Sequence, residues 1–455
     1  MAAGHSSFSF KSTFASMASY SKKPYVQRKR AYVAQALILF NAYGTTLSFG
    51  PYCEYYYNTN TLGHGGSTQL VSLLQISLGI AAHILALFTA PLPIGSLFMH
   101  SKYWKASLVI ATVIAIASAL LPVWCQHWWQ LLLVRVAQGL SLGALATLGI
   151  LCTATHYRNN IPLASLVGAA SAGLGSCVYT VVAYINLQWV VVGAYGDSQR
   201  PWAALKKAYY TNSGICAGTL AIAALLLCRN EEWVKGMKTS GPAHSTSTDD
   251  IKLPFKKKGT AVFIVGLCLV FFGLFVWPTY SVLILSNAQN HMFPTIPMWQ
   301  LIFSYAAAAL FSALSTTVFA RRRLGAVNMI IGASLLAGCA HLNVGYMPFE
   351  LVAWINNIAF GACLGVIMSL YVRASSSFLM RPWGSKALIK LTGTLALLGV
   401  AGASGVVVVA VMIEGGTKEG VQLPLTVSGS CMMAGAALIG VGRWMRSGGK
   451  SRVAI

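Results

Sequence analysis

The chain has 455 residues, of which 56% are hydrophobic and only 9% are charged. Such a chain lacks the polar surface that would cover a water-soluble globule, so the composition excludes a soluble protein and indicates a polytopic membrane protein. Lysine and arginine together number 32 against 9 acidic residues. Because these cations lie in short segments between apolar runs, the charge does not indicate nucleic-acid binding.

The chemistry-bearing residues argue against an enzyme. The 10 cysteines are scattered singly through apolar segments, and no His/Cys cluster has the spacing of metal ligands. The sequence therefore predicts no metal site and no cofactor. It contains no phosphate-binding loop of the GxxxxGK[ST] type and no nucleophile paired with a base, so we expect neither ATP as an energy source nor enzyme activity.

Residues 1–30 are rich in serine and basic residues and contain no acidic residue. This composition is typical of a disordered cytosolic tail ahead of a first membrane helix. It also fits a mitochondrial presequence, so both interpretations stay open.

Hydropathy predicts twelve membrane spans, each near the roughly 20 residues that cross a bilayer. We therefore predict an all-α membrane protein whose twelve helices form two pseudo-symmetric six-helix bundles, 31–228 and 259–445, with a cytosolic linker at 229–258 and a cytosolic tail at 446–455. Span 6 is the least regular, because residues 189–210 also fit an amphipathic segment on the membrane surface. We number the spans 1 to 12 and place them at 31–54, 69–90, 105–123, 129–153, 163–186, 210–228, 260–285, 297–319, 326–345, 350–372, 388–413 and 424–444.

The basic residues predict the orientation of these spans. If both termini are cytosolic, only four cations fall in the outer segments, namely Arg200, Lys206, Lys207 and Lys418. Cytosolic loops of membrane proteins carry such an excess of lysine and arginine. We therefore expect a multi-pass protein, most simply of the plasma membrane, with both termini in the cytosol.

A cysteine placed in the linker tests this orientation. Ser245→Cys in an otherwise cysteine-free variant should resist an impermeant thiol reagent on intact cells and react with it after permeabilisation. Labelling of the intact cells would place the linker outside the cell and contradict the prediction.

Span 4 holds the most informative residue, Arg135, inside an apolar run. A guanidinium in hydrocarbon costs from a few to more than ten kcal/mol, so Arg135 should face an internal cavity. Gly139 and Gly143 continue its helical stripe as a seam for a neighbouring helix. In span 10, Asn357, Gly361 and Gly365 repeat this spacing 222 residues later, which indicates an internal duplication.

Several motifs carry a family resemblance. Arg135-Val-Ala-Gln138-Gly139 resembles the fourth-helix RxxQG motif of the major facilitator superfamily. The stretch from Ser48 to Tyr56, SFGPYCEYY, resembles the first helix of its fungal monocarboxylate-transporter-like branch, and His156-Tyr157 with Leu163-Ala164 keeps the spacing of that branch. The resemblance implies the major facilitator fold and transport by alternating access.

The sequence also departs from the family. In the loop after span 2, Met99 stands where the superfamily carries a carboxylate. Span 8 contains no charged residue, whereas the resemblance implies an acid and an arginine there for proton and anion handling. Simple symport of lactate with a proton therefore does not carry over.

Few polar residues lie where alternating access needs a substrate path. For each Asn or Tyr, a hydrogen bond between helices is the competing interpretation. His83 and Glu54 are the only candidates for proton coupling, and a packing role is the alternative for His83. The candidate substrate-binding residues are Arg135, Gln138, Asn41, Tyr43, Gln75, Tyr280, Tyr305, Asn356 and Asn357.

The sequence therefore predicts a monomeric secondary active or facilitative transporter of a small organic molecule, a weakly acidic or hydrophobic metabolite, with efflux of a secondary metabolite as one direction. Import of a small monocarboxylate or another organic anion is the alternative. A receptor or scaffold that keeps the fold without transporting is the alternative from another class. The expected partners are the substrate and the lipid bilayer.

Overall fold

A computed structural model describes residues 24–59, 72–98, 104–157, 161–191, 200–229, 259–288, 295–319, 325–347, 349–379, 385–415 and 422–448. Within these ranges the chain is helical, with short turns and no β-strand. Eleven helices or helix pairs are long and apolar enough to cross a membrane, and they correspond to spans 2 to 12. Most of the predicted tails and of the 229–258 linker lies outside the described residues.

The N-terminal half contains spans 1 to 6. Three of them are built from two helices each, and a 3₁₀ turn at Leu121–Trp124 follows span 3. The helices are Pro24–Leu47 and Gly50–Thr59 in span 1, Leu73–Thr89 and Pro91–Phe98 in span 2, Trp104–Leu120 in span 3, Trp128–Thr155 in span 4, Ile161–Ala164 and Ala169–Val191 in span 5, and Arg200–Cys228 in span 6.

The C-terminal half contains spans 7 to 12. A π-helical turn, Ser315–Phe319, ends span 8. The helices are Thr260–Leu274 and Val276–Ala288 in span 7, Thr295–Leu314 in span 8, Ala326–Tyr346 in span 9, Glu350–Leu379 in span 10, Ser385–Gly415 in span 11, and Gln422–Ser447 in span 12.

Several helices extend beyond their predicted ends, and three of these extensions include polar residues. Span 1 begins at Pro24, so residues 24–30, predicted as part of the disordered tail, are helical. Span 6 begins at Arg200, so the polar stretch from there to residue 210 continues the span and is not a separate surface helix. Span 12 ends at Ser447. Hydropathy marks only the apolar part of a helix, and backbone hydrogen bonding continues into the polar turns beyond it.

Spans 1 and 7 are each interrupted by a break between two helices, and a proline follows each break. Span 1 restarts at Gly50-Pro51, where a proline without an N–H fits the first turn of a new helix. In span 7, Pro278 lies four residues after Leu274, the last residue of the first helix, and its ring would clash with that carbonyl in a continuous helix. A Cβ on Gly50 would lie 2.6 Å from the carbonyl oxygen of Pro278, so the two breaks face each other.

Glycine seams join two pairs of helices within the halves. A Cβ on Gly139 would lie 2.4 Å from the carbonyl oxygen of His83, and one on Gly143 would lie at the same distance from that of Leu87. Span 4 therefore packs backbone to backbone on span 2. In the C-terminal half, Gly361 and Gly365 of span 10 approach the carbonyl oxygens of span 8 even more closely. The repeated spacing in the sequence thus corresponds to a repeated helix contact.

The two halves meet along two pairs of helices. Span 2 packs on span 11, and span 5 packs on span 8. Gly173 of span 5 allows the second approach, because a Cβ there would lie 2.5 Å from the backbone nitrogen of Ala309. Between these two seams the halves enclose a cavity.

Candidate functional site

A cavity of about 910 Å³ lies between the halves. Spans 1, 2, 4 and 5 of one half line it together with spans 10 and 11 of the other. Its residues belong to the ends of these helices on the side of the molecule where span 1 begins, which we call the terminal side. Its described lining residues include no charged side chain, and the polar ones are Tyr43, Thr147, Ser165, Ser369, Tyr371 and Thr392.

Two tyrosines from different halves form the polar part of the cavity wall. The hydroxyls of Tyr43 in span 1 and Tyr371 in span 10 are 2.9 Å apart. Because one hydroxyl donates to the other, the pair keeps one free O–H donor and free acceptor lone pairs. Phe88 also lines the cavity, and its ring centroid lies 6.2 Å from that of Tyr371. The pair can therefore orient a substrate that carries a carbonyl or hydroxyl group against an aromatic surface.

Contacts between the halves close the other side of the molecule, which we call the opposite side. The Tyr280 hydroxyl of span 7 lies 2.6 Å from Oγ of Ser77 in span 2. The Tyr305 hydroxyl of span 8 donates to the carbonyl oxygen of Leu47. At the surface, a carboxylate oxygen of Glu414 accepts from the backbone N–H of Leu74 at 3.2 Å. The cavity thus lies towards the terminal side while the opposite side is closed.

Removing the Tyr280 hydroxyl should weaken this closure. A hydrogen bond contributes about 0.5–1.5 kcal/mol, so Tyr280→Phe should raise the population that is open on the opposite side roughly 2- to 12-fold. Spin labels at Trp124 and Leu423, which are 57% and 59% exposed at that side, should report a larger share of long distances.

Tyr56→Phe is the matched control, because the Tyr56 hydroxyl bonds that of Tyr209 at 2.9 Å within the N-terminal half. It removes a comparable bond without touching the contact between halves. If both variants changed the distances equally, Tyr280 would have no special part in closing this side.

Arg135 lies in a second, smaller pocket of about 360 Å³ inside the N-terminal half, near the opposite side. Its Nη1 donates to Oε1 of Gln138 at 3.1 Å, and its guanidinium carbon lies 4.7 Å from the ring centroid of Phe49. The side chain is 4% exposed. The lining residues are Thr45, Ser48, Tyr52, Ala119, Pro122, Arg135, Gln138, Tyr209 and Asn212, and none of them lines the larger cavity.

The other predicted substrate-binding residues bond to neighbouring helices or their own backbone. Asn41 donates to Oγ1 of Thr219 at 2.8 Å and accepts from the Tyr179 hydroxyl at 2.6 Å, so it joins spans 1, 5 and 6. Gln75 caps the start of span 2 with Ser72. Asn356 donates to the carbonyl of Val352.

Asn357, the counterpart of Arg135 in the duplicated half, is fully buried. Its Oδ1 accepts from Nε1 of Trp277 at 2.8 Å, and its Nδ2 donates to the carbonyl of Ala353 at 2.9 Å. Of the residues predicted to bind substrate, the structure therefore brings only Tyr43 into the larger cavity, and it groups Arg135 with Gln138 elsewhere.

The two candidates for proton coupling line neither space. Nε2 of His83 lies 2.9 Å from Oγ1 of Thr46, which ties span 2 to span 1. Glu54 is 1% exposed, and its Oε1 accepts from Nδ2 of Asn58 at 3.0 Å. Both residues are placed as parts of helix packing, away from the described cavities.

Most residues of the cavity wall carry no distinguishing signal in the sequence. Tyr371 lies on the same helix as Asn357 and Gly365, but Phe88, Thr147, Ser369 and Thr392 have no such link to a sequence motif. Small hydroxyl and aromatic side chains are common on every face of a membrane helix. Only the arrangement of the helices separates those that face the cavity from the rest.

The sequence matches no protein-family model and no curated protein. Solved structures do match the fold. The xylose transporter XylE from E. coli, in a partially occluded inward-open conformation, aligns over 90% of this chain and 98% of its own with a TM-score of 0.63 and 14% identity. The nucleoside transporter NupG aligns over 92% of this chain and 99% of its own, with a TM-score of 0.60 and 16% identity. The predicted fold class is confirmed: this multi-pass membrane protein has the major facilitator fold.

Proposed function

We propose that this protein is a secondary active or facilitative transporter that moves a small, mainly apolar or weakly acidic organic metabolite across a membrane by alternating access. The observation that carries the proposal is the cavity of about 910 Å³ between the halves. Helices of both halves line it, and its described lining residues carry no charge. Ligand pockets of this kind are mostly apolar with a few placed polar groups. The likeness of the fold to sugar and nucleoside transporters supports the same mechanism.

The mainly apolar wall of the cavity favours an uncharged substrate over an ionised one. Burial of apolar surface is favourable by about 25 cal/mol per Å². An ionised carboxylate that enters without a partner loses its hydration and gains nothing in return, since no cation is found among the described residues that line this cavity. A weak acid would therefore pass in its neutral form, oriented by the hydroxyls of Tyr43 and Tyr371.

This route needs no carboxylate in the protein for coupling. A substrate that binds as the neutral acid brings its proton with it, so a pH gradient would drive net movement without a titrating side chain in the cavity. A substrate with no ionisable group would move only down its own gradient. We propose a plasma-membrane location and efflux, because removal of an apolar metabolite is the simplest use of such a cavity.

One observation supports the alternative of organic-anion import. Arg135 offers a buried positive charge, and a monocarboxylate could pair with it by a bidentate hydrogen bond. That charge lies outside the larger cavity in this conformation. A receptor that does not transport is supported only by the absence of charge in span 8 and of an acid at Met99.

Matched pairs of substrates test the proposal. Proteoliposomes should accumulate aromatic and branched carboxylic acids faster than protein-free vesicles do. The sulfonate of the same skeleton, which stays ionised, should move at least about tenfold more slowly. Uptake of the carboxylic acid should fall about tenfold per pH unit above its pKa, because the neutral fraction falls by that factor. Equal rates for acid and sulfonate would refute selection of the neutral form and favour the anion importer.

A further inference from the structure

The pocket around Arg135 holds a positive charge that the described residues leave without a counter-ion. No acidic side chain lines it, although seven of its nine lining residues are polar or charged. Glu54, two residues after Tyr52 of this pocket, does not line it and accepts a hydrogen bond from Asn58. A buried cation without a partner is costly in a region of low dielectric constant, so the site is stable only if something neutralises or solvates it.

Two buried polar atoms in this pocket have no hydrogen-bond partner among the described residues. Nε of Arg135 donates to nothing, and Oδ1 of Asn212 accepts nothing, while the residues themselves are 4% and 9% exposed. Nδ2 of Asn212 is already used, since it donates to the Tyr52 hydroxyl at 2.7 Å. The guanidinium therefore has donor capacity to spare at a place that is nearly closed to solvent.

In the C-terminal half, the residue equivalent to Arg135 has hydrogen-bond partners for both of its side-chain polar atoms. Asn357 stands at the position of Arg135 in the repeat, and protein groups bond both its amide oxygen and its amide nitrogen. Asn357 lines neither of the described cavities. Arg135, by contrast, lines a pocket and keeps a buried side-chain nitrogen that bonds to none of the described residues.

We propose that the pocket beside Arg135 is a binding site for a small monovalent anion, separate from the substrate cavity. The guanidinium supplies the charge and the unused N–H donors. The hydroxyls of Ser48, Tyr52 and Tyr209, which line the same space, complete a polar shell. The anion is either a free halide or the carboxylate of a small acid, since both offer one negative charge to the same donors.

Anion-dependent stability of the purified protein in detergent is the test. Melting temperatures are compared at fixed pH and ionic strength in gluconate, chloride and acetate. Gluconate is the reference, because it is larger and more strongly hydrated than chloride or acetate. A ligand that binds only the folded state should raise the melting temperature of the unmodified protein with the logarithm of its concentration above the dissociation constant, by several degrees at about 100 times that constant. A rise with chloride identifies a halide site, and a rise with acetate alone identifies a carboxylate site.

Two variants at Asn212 and Arg135 locate the site. Arg135→Gln should lose the response. Because that variant removes a buried charge and has the greater risk of misfolding, Asn212→Asp is the main test: it places a fixed carboxylate in the pocket, should fold, and should respond to no anion. Asn186→Asp is the matched control, since Asn186 is also 9% exposed but lines neither pocket. It should keep the full response.

Equal melting temperatures of the unmodified protein in all three salts would overturn the proposal. An undiminished response in Asn212→Asp would overturn it as well, because the anion would then bind elsewhere. Neither result bears on transport through the larger cavity, so the anion site and the proposed function are tested by separate measurements.

Discussion

Gly361→Leu should prevent stable folding of the C-terminal half. A Cβ at Gly361 would lie 2.0 Å from the carbonyl oxygen of Ser304 and 2.6 Å from its carbonyl carbon, which are backbone atoms that cannot move aside. Spans 8 and 10 would have to separate along their whole seam, including the equivalent contact at Gly365. We expect a loss of about 3 kcal/mol or more, seen as little monodisperse protein in size-exclusion chromatography after extraction.

Gly332→Leu in span 9 is the control. It makes the same substitution in a membrane helix, but a Cβ there meets nothing within 4 Å. This variant should be extracted and eluted like the unmodified protein. If Gly361→Leu behaved as well as Gly332→Leu, spans 8 and 10 would not be in backbone contact and the described seam would be wrong.

Ala146→Trp should abolish transport while leaving the protein folded. Ala146 in span 4 lines the large cavity and is only half-buried, so the indole ring has room to enter it. The ring would occupy the space that the proposal assigns to the substrate. We expect the transport rate in proteoliposomes to fall below roughly a tenth of the unmodified rate, with the same elution profile and melting temperature.

Ala221→Trp provides the comparison for this result. Ala221 is an exposed position on span 6 and lines no described cavity, so its indole should face lipid. Transport by this variant should stay normal. Normal transport by Ala146→Trp at equal reconstitution would show that the substrate takes another path.

Much of the fold could be predicted from sequence because two signals are strong. A run of roughly 20 apolar residues has few alternatives to a membrane helix. The repeated small-residue spacing of Gly139 with Gly143 and Gly361 with Gly365 predicts a helix seam, and each pair does lie against a neighbouring backbone. The helix breaks in spans 1 and 7 were missed, although Pro51 and Pro278 mark them, since hydropathy takes no account of a missing N–H.

The candidate site was harder to predict, for a physical reason. In a water-soluble helix the polar face shows which side is outside, but a helix between lipid and an apolar cavity is hydrophobic all round. Asn41 and Tyr280 are as polar as Tyr43, yet they bond neighbouring helices and Tyr43 lines the cavity. The charge of Arg135 predicts that its side chain faces the protein interior. It does not predict whether the side chain faces the cavity between the halves or a pocket within the N-terminal half.

The resemblance to the fungal monocarboxylate-transporter-like branch stays a prediction. It implies a charged span 8, whereas the described part of that span contributes the neutral Tyr305 to a contact with span 1. The structure places Arg135 in a polar pocket within its own half and gives the cavity between the halves a mainly apolar wall. Under the proposed function, the class of substrate would depend on which of these two places the transported molecule uses.

The most direct test of transport by alternating access uses a reversible cross-link between the two halves. Leu74 and Glu414 lie together on the closed opposite side, in different halves. Leu74→Cys with Glu414→Cys, in a cysteine-free background, can be joined there by a short reducible thiol cross-linker.

Proteoliposomes loaded with a metabolite extract of the source cells should release at least one small, mainly apolar compound, detected by mass spectrometry. The cross-link should stop this release, and reduction should restore it. Release that continues through the cross-linked protein, or folded protein that releases nothing beyond protein-free vesicles, would contradict the account.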